Sequence, residues 1–391
     1  MSVEVRSRRG TTAEHNAFTG AAGEITVDTD KNVAVVHDGA LAGGYPLAKN
    51  EDVVAVEGRV TSAEGRLDNL SDEEVITATG TQTLVEALDD RATKTSSDIT
   101  VTVGSGADFA TINEALTYLS NFYPEYKNAG VTATIELQAG FVMAEQVLVR
   151  GIDFGWVTIT GVDAQTTITR SSLTNNFSGQ DGYSFVSTPA FGVSRGGTLP
   201  RIGQLFQYDI KGNSSGQHGV SAVGAGSSVD ILPSCGFVDA GVNIFAIAGA
   251  VINADGAIAS SAGVYGIYAT RGSTINANGA IASNAVLVGV LTEHSSVINA
   301  QGADASNAGS FGIHAKRAST INAEGADASN AENIGVYAEY ASTINAEGAD
   351  ASNAGALGIF VTSGSTINAV TATGTTNITI NTLTSDGIIF K

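Results

Sequence analysis

The sequence predicts an all-β fold dominated by a right-handed, single-stranded parallel β-helix, preceded by a small β module and a short coiled coil. Three observations carry this expectation: a strict 23-residue repeat in the C-terminal third, period-two alternation within each repeat, and a change of rhythm near residue 98. The dipeptide Ile-Asn, followed by Ala, recurs with its asparagine at Asn253, Asn276, Asn299, Asn322, Asn345 and Asn368. A glycine keeps the same step at Gly266, Gly289, Gly312, Gly335 and Gly358. A fixed period of this length marks a solenoid, in which each unit buries its apolar side only by stacking on its neighbours.

Within one unit, residues 312–334, three short runs alternate with period two: 312–315, 319–323 and 326–329. None has the 3.6-residue period of a helix, and Ala, Gly, Ser and Asn mark the corners. Three strands per unit describe one rung of a three-sided coil. The inward columns are expected to be Ile244, Ile267, Val290, Ile313, Val336 and Ile359, the isoleucines of the Ile-Asn pairs, and a narrow alanine wall at positions 259, 282, 305, 328 and 351. Asn284, Asn307, Asn330 and Asn353 are expected to form a corner ladder of rung-to-rung amide hydrogen bonds. An imperfect seventh rung passes through 219–230. Upstream, segments 132–137, 146–149 and 156–160 read as strands, and 171–215 reads as long loops interrupting the rungs.

Before the coil, Thr111-Ile112-Asn113-Glu114 is a capping-box signature, and Phe109, Ile112, Leu116, Leu119 and Tyr123 give one apolar stripe. The resulting short helix would plug the N-terminal end of the solenoid, covering strand edges. Residues 53–70 place Val53, Val56, Val60, Ala63, Leu67 and Leu70 at steps of three and four, a coiled-coil seam of nearly three heptads. Val53, Val56, Val60, Leu67 and Leu70 are the expected contacts of a homotrimer, with larger flanking domains holding the chains together. Earlier still, 24–28 and 32–37 alternate as two strands around a turn at 29–31. The expected organisation is therefore a module at 1–48, a coiled coil at 49–74, a linker at 75–97 and the β-helix at 98–391. The last divides into a strand and capping helix (98–130), irregular rungs (131–218), regular rungs (219–375) and a closing cap (376–391).

Composition narrows the function. The chain has 391 residues and a single cysteine, Cys235, so no intrachain disulfide framework exists. The first residues lack the apolar run of a signal peptide, and no stretch long enough to span a bilayer occurs, so a soluble protein made in a reducing cytoplasm is expected, without membrane insertion. The formal charge of −20 argues against nucleic acid as a partner.

Arg8-Arg9-Gly10-Thr11-Thr12-Ala13-Glu14-His15, then Gly23-Glu24-Ile25-Thr26-Val27-Asp28-Thr29-Asp30 and His37-Asp38-Gly39, resembles the N-terminal module of bacteriophage tail fibres and tropism-determinant proteins. That resemblance implies a trimer in the virion tail, attached to tail or baseplate proteins through residues 1–48. Gly104-Ser105-Gly106-Ala107-Asp108-Phe109, with Thr111-Ile112 and Ala115-Leu116, resembles the opening of pectin-lyase-like β-helix domains. The order of parts resembles tail fibres and tailspikes, which implies recognition of a host surface polysaccharide. The alternatives are a polysaccharide depolymerase, hydrolase or lyase, and a structural spacer of the tail.

No catalytic constellation or cofactor motif stands out. Asp304, Asp327 and Asp350 stack on consecutive rungs and are weak candidates for a metal ion, their copying through the repeat being the mark of a solvated face. Alternation places Phe245, Tyr268, Leu291, His314, Tyr337 and Phe360 outside the coil, where they either pack on a sister chain or stack on sugar rings. Beside them a corner column carries Arg271, His294, Arg317 and Tyr340, with Glu293, Lys316 and Glu339 adjacent, the one basic concentration of an acidic domain. Tyr268, Arg271, His294, His314, Arg317, Tyr337 and Tyr340 are thus the candidate glycan-binding residues. The irregular loops, with Phe177, Tyr183, Phe185, Phe191, Phe206 and Tyr208, add Tyr183 and Tyr208.

Overall fold

Branched apolar residues alternating with small polar ones give strands whose inward side chains stack on like residues of the next rung. A computed structural model describes residues 7–49, 53–54, 56–60, 74–77, 80–83, 93–124, 130–177, 187–376 and 387–391. Contacts divide the chain into two units, Met1–Arg91 and Ala92–Lys391.

The second unit is the solenoid, and among its described residues, which alone make up the strand counts of each wall, inter-rung pairing is parallel and in register. One wall has nine strands, from Val147–Arg150 through His218–Val223, Val242–Ile247 and Tyr265–Thr270 to Leu357–Val361. A second wall of eight strands begins at Ser228–Asp230 and ends at Gly387–Phe390. It pairs Ile252 with Ile275, Ile275 with Ile298, and so on to Ile367, and every one of these isoleucines is buried. At the other end, Ile99–Val103, Ala133–Leu137, Val157–Gly161 and Arg201–Ile202 form four parallel strands. The third side starts as Val142–Met143, Thr166–Ile168, Leu205–Tyr208 and Gly236–Val238. It then thins to single bridges running Ile258, Ile281, Asp304, Asp327, Asp350, Thr373. Buried alanines flank each bridge residue from Ile258 to Asp350, so this wall is as narrow as the alanine column predicts.

Glycine is required where the narrow wall meets the wide one. A Cβ on Gly312 would lie 2.8 Å from the Ala328 Cβ and 2.8 Å from the Gly335 carbonyl, closer than side chains approach. The repeating glycine and the repeating alanine are two halves of one steric fit. Where Asn243 replaces this glycine, its buried amide accepts from the Ala240 N–H (3.0 Å) and donates to the Ser260 carbonyl (2.7 Å).

Two expectations about ladders change. Asn284, Asn307, Asn330 and Asn353 are left-handed corners with φ of 55–60°. Their amides turn locally instead, Asn307 and Asn330 each donating to the preceding serine at 3.0 Å. Asparagine tolerates this conformation better than most residues. The amide ladder belongs instead to the Ile-Asn column: Asn276 donates to Asn253 (2.8 Å), Asn299 to Asn276 (2.7 Å), Asn345 to Asn322 (3.0 Å) and Asn368 to Asn345 (2.8 Å). The stretch 171–215 is also not wholly loop, since Phe191–Ser194, Arg201–Ile202 and Leu205–Tyr208 are rung strands.

Helix α2 (Ile112–Leu119) has the expected capping box, Thr111 and Glu114 closing on each other's backbone N–H. Glu145 adds a second cap, taking the Ile112 N–H at 2.6 Å and the Asn113 N–H at 3.1 Å. The buried stripe is Ile112, Ala115, Leu116 and Leu119, packed into the same core as Val101 and Val103 of the first rung. Tyr123 is not part of it. It lies beyond the helix in the short strand Phe122–Pro124 and is exposed.

The first unit begins with β1 (Arg8–Gly10), α1 (Thr12–Asn16), β2 (Ile25–Asp28), β3 (Val33–Val36) and β4 (Tyr45–Pro46). The sheet runs β1-β2-β3-β4, with β1 parallel to β2 and the other pairs antiparallel. Residues 53–54 and 56–60 are helical, and Val53, Val56 and Val60 are exposed on this single chain. Leu67 and Leu70 lie outside the described residues.

Candidate functional site

The wide wall builds a second, outward layer. From His218–Val223 onward its pairing skips the glycine position (Asn243 in one strand), and from Val242–Ile247 on the residue just before that position turns outward together with the residue two after it. Val242, Tyr265, Val288, Phe311, Ile334 and Leu357 therefore join Phe245, Tyr268, Leu291, His314, Tyr337 and Phe360 on the outer face. Simple alternation from Ile244 misses the first of these columns. Its signal in the sequence is an apolar residue directly before every glycine of the repeat.

The outer aromatics touch one another more than they touch water. His314 stacks on Tyr337 with ring centroids 4.5 Å apart and planes 11° from parallel, and Phe311 meets both. Phe245 and Leu291 are buried, and Phe245 packs with Phe177, Val223, Val242 and Ile247 in a small cluster separate from the core. His314 is 5% exposed, and its Nε2 lies 3.1 Å from Glu339, whose other oxygen takes the Tyr337 hydroxyl at 2.8 Å. Burial first, with Lys316 reinforcing it, pushes the His314 imidazole down to about 3, so the ring is neutral and donates Nε2–H to the carboxylate. A neutral, stacked, covered ring does not present itself to a ligand, and the structure removes His314 from the exposed candidates.

The corner beside this layer is different. Ala248, Arg271, His294, Arg317, Tyr340 and Ser363 occupy one left-handed position, φ 53–62°, in successive rungs. Here Tyr265, Tyr268, Thr270, Arg271, Glu293 and His294 line a recess of about 230 Å³. Glu293 is its floor and is 8% exposed. One carboxylate oxygen takes the Tyr268 hydroxyl. The other lies 3.2 Å from both the Lys316 Nζ and an Arg317 guanidinium nitrogen. Burial works against charging Glu293, but the Tyr268 hydroxyl and then Lys316 outweigh it and hold the carboxyl below its usual range. Arg317 donates to the His294 Nε2 at 3.0 Å, which leaves His294 Nδ1–H pointing to the Thr270 hydroxyl, 3.2 Å away. Tyr265 and Tyr268 meet edge to face, centroids 5.2 Å apart at 65°, and burial raises both phenols, with Glu293 adding to the shift. Tyr340, on the same corner two rungs on from His294, is exposed.

Other candidates fall elsewhere. Tyr208 is buried and donates its hydroxyl to the His218 carbonyl at 2.6 Å, while Phe177, Phe191 and Phe206 are buried too. The loop reading assigned these aromatics to the surface; instead Phe191 and Phe206 fill the tube, with centroids 5.0 Å apart. Tyr183 lies outside the described residues. Asp304, Asp327 and Asp350 each accept the backbone N–H of the serine two residues on, at 2.9 Å, so they cap local turns. Among the described residues, no group of three His, Cys, Asp or Glu side chains is arranged to hold a metal ion. No described helix is long and apolar enough to cross a membrane.

The first unit carries a buried polar chain. His15 Nδ1 donates to the Thr11 carbonyl (3.0 Å), so its Nε2 accepts from the Thr26 hydroxyl (2.8 Å). That hydroxyl in turn accepts from His37 Nε2 (2.9 Å), whose Nδ1 accepts the Gly20 N–H (3.3 Å). Every donor has an acceptor, which fixes both tautomers. All of these residues fall inside one family match. Residues 5–41 match the Major tropism determinant N-terminal domain. A 51-residue stretch is 69% identical to the tail fiber receptor-binding protein of Bordetella phage BPP-1, amounting to 13% of this chain and 13% of that protein. The chain thus shares with that relative about an eighth of its length. Within the matched residues, His15–Thr26 and Thr12–Asp28 tie α1 to β2, Thr26–His37 ties β2 to the segment after β3, and Thr11 with Glu14 caps α1.

Proposed function

We propose that this chain is the receptor-binding component of a bacteriophage tail. Its N-terminal module attaches to tail or baseplate proteins, a short coiled coil bundles three copies, and the β-helix meets a host surface polysaccharide. The observation that carries this reading is the 69% identity with part of a tail fiber receptor-binding protein, together with the domain match at residues 5–41. The solenoid supports it physically. A device working outside a cell needs rigidity without disulfides, which stacked in-register strands supply, and three copies raise avidity without demanding tight single sites. The exposed Val53, Val56 and Val60 support the seam of the trimer. On this reading the protein is made in the host cytoplasm and resides in the virion tail.

Two measurements test it. Sedimentation equilibrium should give three times the 39.6 kDa chain mass; a monomer would remove the trimer. Purified protein should compete with phage for adsorption to host cells and co-sediment with host polysaccharide whose chain length is unchanged. Shortened polymer would replace binding by cleavage, and absence of competition would end the receptor reading.

A further inference from the structure

We propose that the recess formed by Tyr265, Tyr268, Arg271, Glu293 and His294 binds one carboxylate-bearing sugar unit of a surface polysaccharide. This rests on the receptor-binding reading and specifies its site and ligand chemistry.

Charge is the first argument. In a chain of net charge −20, this corner holds a local surplus of cations. Lys316 and Arg317 share a single carboxylate oxygen of Glu293. Arg271, exposed at the rim, makes no hydrogen bond or ion pair among the described residues. A guanidinium fork matches a carboxylate in two parallel hydrogen bonds, and this one is open to a carboxylate from a ligand. The second argument is shape. At about 230 Å³ the recess is smaller than the roughly 300 Å³ at which pockets for drug-sized ligands begin, so it admits one ring and not a chain. Tyr265 and Tyr268, set at 65° to each other, give that ring an apolar side wall with polar tips. The third is pre-organisation. Glu293 is held by Tyr268, Lys316 and Arg317, and His294 by Arg317 and Thr270, so hydroxyl-binding groups stand in fixed positions before a ligand arrives. The neighbouring rungs lack this combination: one corner position back stands Ala248, and two rungs on from His294 stands Tyr340. The repeat is broken at this point by function-bearing side chains on an unchanged frame.

The test is calorimetric titration of the full-length protein with tetragalacturonate, a sialyl trisaccharide, their carboxyl-reduced neutral counterparts and a phosphorylated hexose. Arg271→Ala is the decisive variant, and Ala248 in the equivalent corner shows that the frame accepts alanine there. A carboxylated probe should bind about tenfold or more tighter than its reduced form, weaken with added salt, and lose about tenfold on Arg271→Ala. Equal binding of acid and neutral forms, indifference to Arg271→Ala, preference for the phosphorylated probe, or no binding of either carboxylated probe would each overturn the proposal. Adsorption of wild-type and variant protein to host cells separates the two readings. Undiminished cell binding by Arg271→Ala overturns this site while leaving the receptor reading intact. Titration as expected without any cell binding removes the receptor reading and leaves the site.

Discussion

At the scale of single residues, several buried polar groups are held by matched partners, although the buried Ser194 and Thr292 hydroxyls have none among the described residues. Thr26 is the clearest case, because its one hydroxyl serves two buried histidines. Thr26→Val keeps the shape and orphans a ring nitrogen on each side, so it should destabilise the N-terminal unit by about 1–3 kcal/mol, read from chemical denaturation. His218 and His314 make a second case. Burial pushes them down to about 4 and about 3 respectively. In the unfolded chain each titrates near ~6.5. Between those values the unfolded state takes up protons that the folded state refuses, so stability falls as pH drops from about 6.5 towards 3 and is flat in these groups above. Melting temperature measured from pH 7.5 to 4 should show that fall, and His218→Gln should make it shallower. These partnerships were only half visible in the sequence. The Thr111–Glu114 cap was legible because its spacing is local, whereas His15, Thr26 and His37 are tied across 11-residue gaps that no local pattern announces.

Elements follow the same logic with larger groups of side chains. Rung strands were legible wherever alternation and period agreed, as for the isoleucine columns. They were missed at 191–208, where loops of unequal length hide the period. The outer face was misread in part because the wide strands are interrupted at the glycine, which resets the alternation that local counting relies on. The glycine–alanine fit gives this a measurable edge. Gly312→Ala forces a methyl group to within 2.8 Å of Ala328 and of a carbonyl in the next rung. It should cost about 1–3 kcal/mol in scanning calorimetry, and Ala328→Gly in the same chain should return part of the loss, since one of the two clashes is thereby relieved. The candidate site was legible as a cluster of unusual side chains but not as a recess. Tyr265 entered only when the outer column before each glycine became visible, and Glu293 became its floor only when its three partners were seen together.

For the whole solenoid, stability is close to a sum of rungs and the interfaces between them, so length is adjustable in units of one turn. Deleting residues 340–362 joins a rung to its copy with all isoleucine and asparagine columns in phase. Far-ultraviolet circular dichroism per residue should stay the same, and the melting temperature should drop by no more than several degrees, about the effect of 1–2 kcal/mol. A deletion of half that length, which throws inward residues to the outside, should abolish the cooperative transition.

Such regularity carries a hazard of its own, because a growing chain could zip together one turn out of step and lose almost no apolar contact. The column Thr270, Glu293, Lys316, Glu339 works against that error. Lys316 sits between two glutamates when the rungs are correctly seated, while a shift of one turn sets Glu293 against Glu339 and Lys316 against the neutral Thr270. Like a vernier laid beside a uniform scale, a few unequal marks are enough to tell the newly made protein which notch is the right one.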